Sequence, residues 1–122
     1  MNKFIIRSLD SYNEKSFEIV TGKKIQEQDC IVYEYESKLG KCKISFLDDK
    51  VIIDRDNNGI TTLIEVNLNK DTEFVYYGEG FKKKFFVRGE KINYKKNILE
   101  FSYKILDNRE EVNNISIAIK DY

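Results

Sequence analysis

Apolar and polar residues alternate with a period of two along almost the whole chain, and turn residues interrupt the alternation every few positions. This is the signature of half-buried β-strands joined by short turns. Ten segments carry it, over residues 3–9, 15–24, 30–37, 41–47, 50–55, 60–68, 73–77, 81–88, 98–106 and 112–120. Ile31, Tyr33 and Tyr35 share a face opposite Val32, Glu34 and Glu36. Cys42, Ile44 and Phe46 oppose Lys41, Lys43 and Ser45. Leu99, Phe101, Tyr103 and Ile105 face away from Glu100, Ser102 and Lys104, while Ile115, Ile117 and Ile119 alternate with Ser116, Ala118 and Lys120.

The breaks fall at Leu39-Gly40, Asp48-Asp49, Asn57-Asn58-Gly59, Asn69-Lys70-Asp71, Gly78-Glu79-Gly80, the stretch from Asn93 to Asn97, and Asp107-Asn108. They leave no room for a helical crossover between parallel strands. A chain made only of strands must dispose of its sheet edges, and closing the sheet removes them. Hairpin-length connections favour up-and-down order, since Greek-key order needs a long crossing. The pattern therefore predicts one antiparallel up-and-down β-barrel of about eight to ten strands, as a single domain over residues 1–122.

A chain of 122 residues is long enough to build a core without staples. Lys plus Arg is 21 and Asp plus Glu is 21, so the net charge is zero. That argues against a generic nucleic-acid or anionic-membrane binder, which needs a positive field. Cys30 and Cys42 fall at different heights of one predicted hairpin, which sets the expectation of free thiols. Met1 runs directly into Asn2, Lys3 and Phe4 with no apolar signal core, and no run approaches the roughly 20 apolar residues of a spanning helix. The expectation is a cytoplasmic protein without a membrane partner.

The chain has no histidine, which removes the usual acid–base and Ser–His or Cys–His arrangements, so no catalytic residue is assigned. No cofactor motif is present, neither a Walker loop nor G-x-G-x-x-G. Asp54-Arg55-Asp56-Asn57-Asn58-Gly59 followed by Glu65 matches the spacing of a calcium loop. The flanking segments read as strands, which would carry Glu65 ~20 Å from Gly59, and Asn-Gly between apolar runs is a strong hairpin signal. A hairpin turn is the expectation there, with no metal assigned.

Two surfaces remain for binding. The basic stretch over residues 81–88 interleaves Lys82, Lys84 and Arg88 with aromatics, Phe86 among them. Such a strand serves a protein or single-stranded nucleic-acid partner, although zero net charge makes nucleic acid the less favoured of the two. On the inward faces, Tyr33, Tyr35, Phe101 and Tyr103 supply aromatic walls. Arg55 shares the alternation of Val51 and Ile53, which places a cation at the barrel rim. An aromatic interior with one rim cation suits a small amphipathic anion, while the same side chains can instead fill a solid, ligand-free core, as small barrels do.

The order of Phe17-Glu18-Ile19-Val20-Thr21-Gly22, Ile31-Val32-Tyr33-Glu34-Tyr35-Glu36, Gly40-Lys41, Val51-Ile52-Ile53-Asp54-Arg55 with Gly59 behind it, Tyr76-Tyr77-Gly78 and Leu99-Glu100-Phe101-Ser102-Tyr103 resembles the YwiB-like family of small bacterial calycin-type barrels. The Arg55–Gly59 spacing is wider than in that family, and the segment near Tyr76 lacks its threonine. The resemblance implies a calycin-like, lipocalin-like barrel, an architecture whose members often hold small hydrophobic ligands inside. The resulting expectation is a non-enzymatic barrel binding a small hydrophobic or amphipathic ligand, with the residue 81–88 surface as the alternative. Oligomeric state is left open by the sequence.

Overall fold

The computed structural model describes residues 2–38, 40–78 and 80–122. Its described residues form ten strands: β1 (Asn2–Asp10), β2 (Lys15–Gln26), β3 (Ile31–Ser37), β4 (Gly40–Leu47), β5 (Lys50–Asn57), β6 (Ile60–Asn67), β7 (Thr72–Gly78), β8 (Phe81–Lys95), β9 (Ile98–Asp107) and β10 (Glu110–Asp121). They lie in one antiparallel sheet in the order β6-β5-β4-β3-β2-β1-β10-β9-β8-β7. Strands adjacent in sequence thus pair with each other except β6 and β7, and β1 pairs with β10, Phe4 facing Asp121 and Asp10 facing Ile115. The result is an all-β, nearly closed, up-and-down barrel. No described helix is long and apolar enough to cross a membrane.

Closure is incomplete between β6 and β7, which no backbone ladder joins among the described residues. The seam is held by other means. Thr72 Oγ1 donates to the Glu65 carbonyl, and Gly89 of β8 lies against the Asn67 backbone, where an added Cβ would meet the Asn67 oxygen at 2.6 Å. Asn67 itself is buried with both amide ends satisfied. Its Nδ2 donates to Glu65 Oε2 at 3.0 Å and its Oδ1 accepts the Asn69 N–H at 2.9 Å.

Two strands exchange partners along their length. β2 pairs with β1 from Lys15 to Gly22 and with β3 from Gly22 to Gln26. A Cβ on Gly22 would fall inside the Glu34 carbonyl oxygen, so only glycine lets β2 bend into both ladders. β8 pairs with β7 up to Val87 and with β9 from Phe86 onward, with a bulge between Gly89 and Lys91. The sequence pattern ends this strand near Arg88, but the strand continues to Lys95 and the turn is at Lys96-Asn97. The bulge inserts one residue, so the inward positions shift from Phe85 and Val87 to Ile92 and Tyr94. The expected turns at Leu39-Gly40 and Gly78-Glu79-Gly80 include Leu39 and Glu79, which lie outside the described residues.

The inward faces meet in one core containing Phe4, Tyr33, Ile44, Ile53, Leu99, Phe101, Tyr103 and Ile119. Phe4 meets Tyr33 edge-on at 5.2 Å, and Phe101 stacks with Tyr103 at 6.4 Å. The outward face of β2–β5 carries charge in register, Lys23, Glu34, Lys43 and Asp54 in one row and Glu36, Lys41 and Asp56 in the next. Opposite charges across strands favour this register over a slipped one.

Gly22→Ala should lower unfolding free energy by about 3 kcal/mol through the enforced backbone shift, read as a fall in the urea midpoint. An unchanged midpoint would show that β2 does not need the bend.

Candidate functional site

Lys24 and Arg55 are partly buried cations on inward phases, one near each end of the barrel. Lys24 shares the inward phase of Val20 and Gly22 on β2. Its Nζ donates to Tyr94 Oη at 2.9 Å and to Asp121 Oδ2 at 2.9 Å, and it lies 5.5 Å over the Tyr33 ring and 5.3 Å over the Tyr94 ring. Burial alone would lower the Lys24 pKa, but the hydrogen bonds to Tyr94 and Asp121 outweigh it and hold the ammonium above its ordinary value. Tyr94 stacks on Phe46 at 6.1 Å, so a polar clasp closes over this end; Lys24 Nζ is paired, while Tyr33 Oη and Asp121 Oδ1 beside it are buried without hydrogen-bond partners. Burial pushes the neighbouring Tyr33 phenol up to about 12, with the Lys24 cation pulling the other way.

Arg55 stands near the opposite end, in phase with Val51 and Ile53 and paired in register with Cys42 and Thr62. It is half-buried, and its Nε is buried with no hydrogen-bond partner. Among the described residues it joins none of the ion pairs. Beside it is a cavity of about 50 Å³ lined by Tyr35, Cys42, Ser8, Ser16, Glu18 and Lys38, among others. The wall exists because residues 15–21 of β2 pair with β1 alone. Glu18 Oε1 bridges the notch by accepting the Lys38 N–H at 3.0 Å. Burial raises the Tyr35 phenol above its ordinary range, and it pushes the Tyr103 phenol up to about 12, while the Arg55 cation pulls both down.

The anticipated wall residues therefore divide. Tyr35 and Arg55 line the cavity, and Tyr103 lies within the field of Arg55. Tyr33 belongs to the Lys24 end, and Phe101 is packed in the filled core. Larger hollows of about 470 and 610 Å³ are open grooves on the outer sheet face, the first floored by Ser102, Ser116 and Ala118.

On the outer strand, Phe86 is 38% exposed and Lys84 Nζ lies 5.9 Å over its ring. Most of the basic stretch is already paired. Lys83 reaches Asp107 at 2.9 Å, Lys84 reaches Glu73 at 3.4 Å, and Arg88 grips both oxygens of Asp71, lowering the Asp71 pKa. Lys82 lies over the Tyr77 ring at 5.8 Å and makes no ion pair among the described residues. The calcium-like segment is a hairpin, with Asn57 facing Ile60 and Asn58 and Gly59 at φ 54° and 83°. Gly59 N–H donates to Asp56 Oδ1 at 3.2 Å, and Glu65 faces Ile52 along the next strand. Cys30 and Cys42 are free thiols.

Sequence reasoning missed Lys24 and Glu18. The only signal was phase, since both continue the inward alternation of Val20.

No protein-family model matches the chain, and no curated protein does. Among solved structures, the crystal structure of the ywiB protein from Bacillus subtilis aligns over 98% of this chain and 90% of its own, with a TM-score of 0.68 at 15% identity. The chain has the YwiB barrel fold. At that identity the likeness to YwiB carries architecture alone, and the roles of Arg55 and Lys24 rest on the geometry above.

Lys24→Met should cost about 2 kcal/mol by stranding the partly buried Asp121, a moderate figure because Asp121 keeps some solvent. An unchanged urea midpoint would show the clasp to be decorative. The tyrosines give a pH signature. A phenol whose folded pKa exceeds its unfolded value stabilises the fold fully below pH 10.0 and loses that contribution as pH rises towards about 12. Stability should fall across that window, with phenolate absorbance showing Tyr33 and Tyr103 ionising late. All phenols ionising together near their ordinary value would contradict the packing.

Proposed function

We propose that this barrel is a non-enzymatic, cytoplasmic protein that binds a small amphipathic anion through Arg55. The observation that carries the reading is the buried Arg55 Nε without an acceptor beside a cavity of about 50 Å³. An unsatisfied buried donor costs on the order of 1–3 kcal/mol, which an incoming anion would recover by accepting the hydrogen bond. The cavity is large enough for a carboxylate-sized group or one or two waters at about 30 Å³ each. Its charged lining is Arg55 and Lys38 against Glu18, a local excess of one positive charge.

The mouth has two characters. Ser8, Ser16 and Glu18 form a polar side. On the other strands, Ile60, Tyr76 and Phe81 continue the inward phases of Ile64, Phe74 and Phe85 towards the same end, yet stay 58%, 47% and 58% exposed. An anionic head at Arg55 with a short apolar tail on that side suits the arrangement, whereas the filled core leaves no room for a large ligand. Arg55 and a phenol at about 12 supply binding and hydrogen bonding, which supports a binding role.

The competing reading, an interaction strand over residues 81–88, draws on the exposure of Phe86. With Lys83, Lys84 and Arg88 already paired to carboxylates, a protein partner fits it better than a polyanion.

Titration with sodium butyrate and sodium octanoate should shift the Arg55 Nε–H resonance, with a butyrate Kd on the order of 1 mM and tighter octanoate binding. Arg55→Met should abolish both. Shifts that persist in Arg55→Met, or none in the wild-type protein, would overturn the reading.

A further inference from the structure

Residues 81–85 of β8 pair with β7 alone, because the ladder to β9 begins at Phe86. β7 in turn has no ladder to β6. The end of this hairpin is therefore a two-stranded ribbon, tied to β6 at its base by Thr72 Oγ1 on the Glu65 carbonyl, with Tyr76, Tyr77 and Phe81 about half exposed. A bare ribbon of two strands is marginal in water, and each of its edges is a template for another strand.

The two edges are not equivalent. The β8 edge presents Lys82, Lys83 and Lys84 in succession, and such a run blocks pairing with another strand. The β7 edge reads Thr-Glu-Phe-Val-Tyr-Tyr-Gly, rich in β-branched and aromatic residues and free of lysine and proline.

We infer that the β7 edge pairs with the β7 edge of a second copy, antiparallel about Val75, forming a weak two-fold dimer. Charge complementarity selects this partner. Glu73, Val75 and Tyr77 share one face of the ribbon, where Lys84 is opposite Val75 and Lys82 opposite Tyr77. Pairing about Val75 puts Glu73 of one copy beside Tyr77 of the other. Lys82 Nζ already lies over the ring of Tyr77, on the strand that would carry the new ladder, at 5.8 Å, and it is the ribbon lysine without an ion pair among the described residues. The two-fold axis makes the match twice, Lys82 to the partner's Glu73 and the reverse, each Glu73 being shared with the Lys84 of its own copy, which lies 3.4 Å away on the exposed face. Zero net charge adds no long-range repulsion between copies. A ribbon-sized contact falls below the usual stable interface, so the dimer is transient, with a Kd on the order of 0.1 mM.

Sedimentation equilibrium of the full chain tests this. Wild-type protein should dimerise reversibly. Glu73→Lys and Lys82→Glu should each weaken dimerisation at least about tenfold by opposing like charges. An equimolar mixture of the two variants should recover it as a heterodimer, and so should the double variant, which also shows that neither substitution acts by unfolding the ribbon. A wild-type monomer up to about 1 mM would overturn the inference, as would single variants that dimerise normally or a mixture that stays monomeric.

Discussion

Sheet closure is the constraint from which the other features follow. Pairing β1 with β10 converts ten one-sided strands into a wall with an inside and an outside. Once the wall curves round, every second residue commits to a shared interior, so Phe4, Tyr33, Phe101 and Ile119 from distant segments fill one core. Closure also demands local exceptions. Gly22 lets β2 serve two ladders, the Gly89 bulge lets β8 do the same, and Gly89 leaves the Asn67 backbone close enough to hold the seam. The notch beside β2 and the two-stranded end of β7–β8 are where strands of unequal length do not meet all the way round.

The same constraint decides which inward charges are structural. Lys24 Nζ has two hydrogen-bonding partners and two ring faces, so the burial of its charge is compensated, and the orphaned atoms beside it, Tyr33 Oη and Asp121 Oδ1, belong to its partners and not to the cation. Arg55, equally inward by phase, has a buried donor with nothing to bond. A satisfied buried charge organises its surroundings, while an unsatisfied one costs stability until something binds it. That contrast within one interior is the basis for reading Arg55 as a site and Lys24 as a clasp.

Strand phase was the most legible part of the sequence, because alternation of apolar side chains is imposed by the wall itself. It located nine strands closely and gave Arg55 its inward direction from Val51 and Ile53. It failed on β8 because the bulge at Gly89 moves the apolar positions from odd to even numbers, and the run to Tyr94 then resembles a loop. Lys24 was hidden because a lysine beside Lys23 looks solvated until the phase of Val20 and Gly22 is trusted. The neutralisation of the basic stretch was not legible at all. Asp71, Glu73 and Asp107 reach it only through turn geometry and register across β7 and β9. Nor does phase fix barrel radius, which decides whether inward tyrosines enclose space or fill it.

The most direct measurement is the unfolding free energy of wild type and Arg55→Met in buffer free of small carboxylates and phosphate. Methionine keeps an apolar stem in place while removing the unsatisfied donor. If Arg55 is held for a ligand, Arg55→Met should be more stable than wild type by about 1 kcal/mol. If Arg55→Met is instead less stable, the guanidinium contributes to the fold, and the central claim of an anion site is contradicted.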